Sequence, residues 1–154
     1  MSVTVILPNQ DPFVTTPLDM ASLSNDVFPV ANRVPGAEGE GFDLRSWFSL
    51  FIQSLNETYA EPTHLVVRAS DEFQATIPWG QLNNALLQFA VNGLPLVKGR
   101  PIRLYVPDGT SACLNVKSVV YLRFVSDAAL GEEAEYGFVN EISPNQLAKG
   151  LKSR

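Results

Sequence analysis

Asn92–Val125 reads NGLPLVKGRPIRLYVPDGTSACLNVKSVVYLRFV. Asn92-Gly93 is a turn or helix-stop signal, because Gly tolerates positive φ without steric cost. Ile102–Val106 is a strand by pattern, with Arg103 and Tyr105 on one face and Ile102, Leu104 and Val106 on the other. Pro107-Asp108-Gly109 has turn chemistry. Val116–Val125, rich in β-branched and aromatic residues, is expected to be a central strand. Strict alternation there puts Lys117, Val119, Tyr121 and Arg123 on one face.

Charge is uneven along this stretch. Lys98, Arg100, Arg103, Lys117 and Arg123 stand against one acid, Asp108, inside a chain of net charge −5. If these cations converge, they suit an anion such as phosphate, which Arg binds bidentately. The same pattern also fits a solvated strand surface.

The ordered set Asn92-Gly93-x-Pro95-Leu96, Gly99-x-Pro101-x-Arg103-Leu104-x-Val106-Pro107 and Val116-Lys117-x-Val119 resembles the molybdopterin-binding domain of sulfite-oxidase-type oxidoreductases. The likeness is strongest over Phe73–Val125 and extends upstream to about Phe42. It implies an α+β domain of the sulfite oxidase middle-domain kind, with mixed β-sheets and a few helices. It also implies that Arg103 and Lys117 face the cofactor and hold the pterin's phosphate and ring by charge-assisted hydrogen bonds. Lys98 and Arg100, in the preceding loop, join them as candidate anion ligands.

Two departures bear on activity. The family binds molybdenum through a cysteine thiolate upstream of the part matching Phe42–Leu55. The corresponding stretch here, Val27–Gly41, has no cysteine, and the chain's one cysteine, Cys113, lies on the wrong side of the match. Without the thiolate the ordinary protein anchor for the metal is lost. The family also often has His before the glycine of the Gly-x-Pro turn, where this chain has Lys98. The resemblance therefore implies a small non-catalytic relative that binds an anionic small molecule or pterin phosphate, or acts as an interaction module with a protein partner. The alternative is a molybdopterin-dependent oxidoreductase, alone or completed by a partner.

The rest of the chain sets bounds. A chain of 154 residues fits one domain, and 45 % hydrophobic with 18 % charged residues is globular composition. The acidic balance argues against a general nucleic-acid binder. No run of about 18 apolar residues is present to cross a membrane. The N-terminal MSVTVILPNQ lacks the basic region of a signal peptide, so a cytoplasmic protein is expected. A lone cysteine and a lone histidine exclude an intramolecular disulfide and a Cys/His metal cluster. Cys113 reads as a small buried or half-buried apolar residue.

Val3–Leu7 is a strand candidate stopped by Pro8. Residues 8–41 hold five prolines and three glycines and show no sustained periodicity, so an irregular arm is expected, with one short strand over Val27–Ala31. Asp43 is an N-cap, and Leu44, Trp47, Phe48, Phe51, Ile52 and Leu55 follow at helical spacing. That face is expected to pack on the sheet containing Val116–Val125. His64–Ala69 and Phe73–Ile77 form a hairpin across Asp71-Glu72. His64 reads as a surface or packing residue without a partner for catalysis. Pro78 is placed to open a helix that carries Leu82, Ala85, Leu86 and Phe89 and stops at Gly93. An acidic loop over Ser126–Gly137, a last strand over Tyr136–Ile142 and a short helix or tail over Pro144–Arg154 close the reading. No nucleophile, phosphate-loop or metalloprotease motif is present, so no catalytic residue and no metal ligand is expected.

Overall fold

A computed structural model describes residues 1–139 of the chain. The expectation for Pro144–Arg154, and the end of the one for Tyr136–Ile142, lie outside the described residues. The described part is α+β, with two α-helices and two sheets.

The first sheet has six strands. In chain order they are β1 (Val3–Ile6), β2 (Phe13–Thr15), β5 (His64–Ala69), β6 (Phe73–Pro78), β10 (Val119–Val125) and β11 (Glu135–Phe138). Their spatial order is β11-β6-β5-β10-β1-β2. Val119–Val125 is thus central, as its apolar sequence predicts. It runs parallel to β1 and antiparallel to β5, with Val5 opposite Leu122 and Val67 opposite Leu122 on the other side. The expected hairpin of β5 and β6 is present, its turn carrying Glu72 at φ +69.

The second sheet contains β3 (Val27–Pro29), β4 (Glu40–Asp43), β7 (Leu86–Val91), β8 (Leu94–Pro95) and β9 (Arg103–Tyr105), all paired antiparallel. β4 lies along one edge of β7. The other edge is shared between β9, which pairs with Leu86–Gln88, and β8, which pairs with Ala90 and Val91. Asn92 and Gly93, both at positive φ, turn β7 into β8.

The helices are α1 (Pro17–Ser24) and α2 (Leu44–Ser54). Asp43 caps α2 as expected, its Oδ2 accepting from Ser46 N at 2.8 Å. Trp47, Phe48, Phe51 and Ile52 are buried, and the Phe48 ring stacks on Phe124 of β10 at 4.2 Å. The predicted contact between this helix face and the central strand is therefore present. One continuous core joins α1, α2 and the facing sides of both sheets.

Five expectations are corrected by the structure. The stretch 8–41 is not an irregular arm: it contains β2, α1, β3 and the start of β4. Its prolines punctuate short elements. Pro17 occupies the first turn of α1 behind the Thr16 cap, and Pro29 ends β3. Elements of three to eight residues are too short for periodicity to show.

The helix expected after Pro78 is a 3₁₀ turn, Trp79–Leu82, followed by the strand β7. Leu86 and Leu87 are both fully buried, facing different clusters, because β7 is covered on both sides. Such a strand is a nearly continuous apolar run, broken here by Gln88 alone, and that run also satisfies helical spacing.

Strict alternation fails in β10. A register shift between Val119 and Tyr121 turns Val119 inward with Leu122 and Phe124, leaving Arg123 on the exposed face. Ile102–Val106 and Val116–Val125 are likewise not a hairpin in one sheet. β9 belongs to the second sheet and β10 to the first, and a single bridge, Ile102 to Val119, ties them.

Cys113 is exposed rather than buried, on a 3₁₀ turn over Ala112–Leu114 whose Leu114 takes the core position instead.

Candidate anion site

The candidate cations are placed by the main chain where the two sheets meet. Gly99, at φ +77, turns the loop after β8, and its carbonyl accepts from Ser118 N at 3.2 Å. Val119 N then donates to Ile102 O at 2.9 Å, and Leu104 N to Val116 O at 2.8 Å. These three bonds run Lys98–Leu104 alongside Val116–Val119. Lys98 and Arg100 flank Gly99, while Lys117 adjoins Ser118. Arg103 lies between the two bonded pairs, opposite Lys117-Ser118. Ile102 and Leu104 are fully buried, so the intervening Arg103 projects from the other side of the strand.

Arg103 is half-buried, with its guanidinium carbon 4.7 Å from the Tyr105 ring centroid. That is cation–π distance. Its register partner is Gln88, a buried side chain whose Nε2 donates to Glu38 O at 2.7 Å. The Arg103 Nε is fully buried and has no hydrogen-bond partner. A buried guanidinium N–H without an acceptor is costly.

No carboxylate answers this charge among the described residues. The ion pairs there are Arg33–Asp43 at 2.6 Å and Arg45–Glu61 at 2.8 Å, and neither includes Lys98, Arg100, Arg103 or Lys117. Asp108, the one acid of the basic stretch, accepts from Asn84 Nδ2 at 2.8 Å. Glu40 accepts from the Asn92 and Gly93 amides. Lys98, Arg100 and Lys117 are exposed. Arg123 does not belong to the group. It pairs in register with Ile6 and Val66, about 13 Å along the strand from Val119.

The molybdenum half of the implied cofactor does not fit the residues present. The only thiol, Cys113, is exposed on a turn, and its N–H is bound to Ser111 Oγ at 3.1 Å. Among the described residues, no three His, Cys, Asp or Glu side chains gather to hold a metal. The phosphate half meets no such obstacle, since Arg103 is half-buried and in no ion pair among the described residues. His64 is 3 % exposed and held at both ring nitrogens, Nε2 at 2.7 Å from Gly131 O and Nδ1 at 2.8 Å from Thr63 Oγ1. It is a packing residue, as its sequence context predicts.

Sequence reasoning put Tyr105 on the face of Arg103, as found, but missed Gln88 as the wall beside it. Gln88 lies in β7, and the helix expected over Leu82–Phe89 hid the pairing of β7 with β9. Compared with known proteins, the chain matches no family model and no curated protein. Among the described residues, no helix is long and apolar enough to cross a membrane.

Proposed function

We propose that this chain is a small non-catalytic relative of sulfite-oxidase-type molybdopterin-binding domains that binds a phosphate-type anion. Lys98, Arg100, Arg103 and Lys117 are its ligands. The observation that carries the proposal is the buried, unpartnered Arg103 Nε, set beside a loop and a strand that bring three exposed cations to one junction. An oxyanion accepting from the outer nitrogens of the Arg103 guanidinium gains charge-assisted bonds, each about twice as strong as a neutral one. Lys98, Arg100 and Lys117 supply the surrounding positive field.

No covalent step is assigned to the site. Among the described residues, no three His, Cys, Asp or Glu side chains gather there to hold a metal. The reading is tested by thermal shift with inorganic phosphate or a pterin phosphate at low ionic strength. Wild type is expected to gain stability with ligand, by mass action. An Arg103→Gln, Lys117→Gln double variant is expected to lose that gain.

A further inference from the structure

Beside the basic junction lies a cavity of about 410 Å³, the size of a small-molecule site. Its wall is built from four places distant in sequence: Met1, the first turn of α1, the β7–β8 corner and the loop 96–101. Thr16, Leu18, Phe89, Leu96, Arg100 and Pro101 line it. Leu96 is buried at the base, while Leu18 is 64 % exposed at the rim. Leu94 and Val97, which flank the lining residues Pro95 and Leu96, are 67 % and 86 % exposed. Apolar side chains exposed around a concave apolar wall mark a place where burial by a ligand is favourable.

The polar groups on this wall are few. Arg100 is exposed and in no ion pair among the described residues. Thr16 Oγ1 accepts from Asp19 N at 3.2 Å in its role as helix cap, which leaves its own hydroxyl proton free to donate. Glu40, the acid bonded to the β7–β8 corner, is turned onto the Gly93 amide at 2.6 Å. The wall thus offers an apolar body and a cationic end.

We propose that this cavity binds a small amphipathic anion, with an alkyl or aryl body against Leu18, Phe89 and Leu96 and a carboxylate or sulfonate on Arg100. The proposal rests on the anion-site reading only through Arg100, and its apolar half stands apart from it. A polar fused ring such as a pterin gains little from this wall, because burying ring nitrogens against Leu and Pro leaves them unpaired.

The test uses 1-anilinonaphthalene-8-sulfonate fluorescence on the full chain, displaced by decanoate and, in parallel, by decanol. Wild type, Leu18→Glu and Arg100→Gln are compared. Both side chains are exposed, and thermal melts establish that both variants fold. Saturable dye binding is expected, with decanoate displacing it far better than decanol. Leu18→Glu is expected to weaken binding at least tenfold and Arg100→Gln several-fold. Equal binding by all three proteins, absence of saturation, or decanol matching decanoate would each overturn the proposal. Phosphate thermal shift separates the two readings. If Leu18→Glu loses the dye but keeps its phosphate response, the cavity and the anion site both stand. If wild type binds the dye as expected but ignores phosphate, the cavity stands and the anion-site reading fails.

Discussion

The rings of Phe48 on α2 and Phe124 on β10 stack at 4.2 Å between centroids, with planes 28° apart. Phe124 also meets Trp79 edge-on at 6.0 Å and Trp47 at 6.4 Å, so it is the point where helix, central strand and 3₁₀ turn converge. Phe124 is 1 % exposed. Phe124→Ala is expected to cost about 3–5 kcal/mol, from lost transfer energy plus a cavity that three aromatic neighbours cannot close. Denaturant unfolding measures it. A loss under about 1 kcal/mol would mean that this aromatic cluster does not hold the helix to the sheet.

Asp43 does two jobs at the start of α2. One carboxylate oxygen caps Ser46 N, and the other meets Arg33 Nη1 at 2.6 Å. The same Arg33 nitrogen lies 3.2 Å from Asn84 O, so Asp43 also ties β4 to the chain entering β7. Asp43→Ala is expected to cost about 1–3 kcal/mol, the sum of a cap and a half-exposed charged bond. Asp43→Asn retains the cap and is expected to recover about half of that loss. Equal losses in the two variants would show that the ion pair, and not the cap, carries the effect.

Two glycines at positive φ separate steric from conformational cost. Gly39 and Gly93 sit at φ +89 and +75. A Cβ on Gly39 lands 2.4 Å from Ala90 O, whereas one on Gly93 meets nothing within 4 Å. Gly93→Ala is expected to cost about 1 kcal/mol, the penalty of the left-handed conformation alone. Gly39→Ala is expected to cost clearly more, because β4 cannot keep its distance from β7. Comparable midpoints for the two variants in thermal unfolding would contradict this close approach.

Purified protein from its natural host is expected to carry no molybdenum. The basis is chemical: the one thiol is on an exposed turn, and no described set of His, Cys, Asp or Glu replaces it. Elemental analysis giving near one molybdenum per chain would restore the oxidoreductase alternative.

Much of this fold was legible in the sequence where one face is buried and the other is wet. The α2 stripe from Leu44 to Ile52 and the central strand Val119–Val125 show that contrast, whereas the β5–β6 hairpin, largely buried on both strands, was marked by its Asp71-Glu72 turn. β7, buried on both sides and with no hairpin turn before it, was not legible: Leu86 and Leu87 face different clusters, so it carries no period to distinguish strand from helix. Short elements between prolines were also hidden, and α1 is held by its Thr16 cap and by packing on α2 rather than by a visible stripe. The four cations were found by composition. Their meeting place depends on the Gly99–Ser118 hydrogen bond between two sheets, a long-range contact that no local pattern encodes. The apolar cavity was missed for the same reason, since its wall comes from four separated places in the chain.

The anion site is tested most directly by calorimetric titration of inorganic phosphate into wild type, Arg103→Gln and the Arg103→Gln, Lys117→Gln double variant, at about 0.01 M and about 0.15 M salt. Wild type is expected to bind saturably at low salt and several-fold more weakly at the higher salt, because screening shortens the reach of Lys98, Arg100 and Lys117. The single variant is expected to lose most of the affinity and the double variant the remainder. Binding unchanged by removal of Arg103, or no binding by wild type at low salt, would contradict the account and leave these cations as solvated side chains.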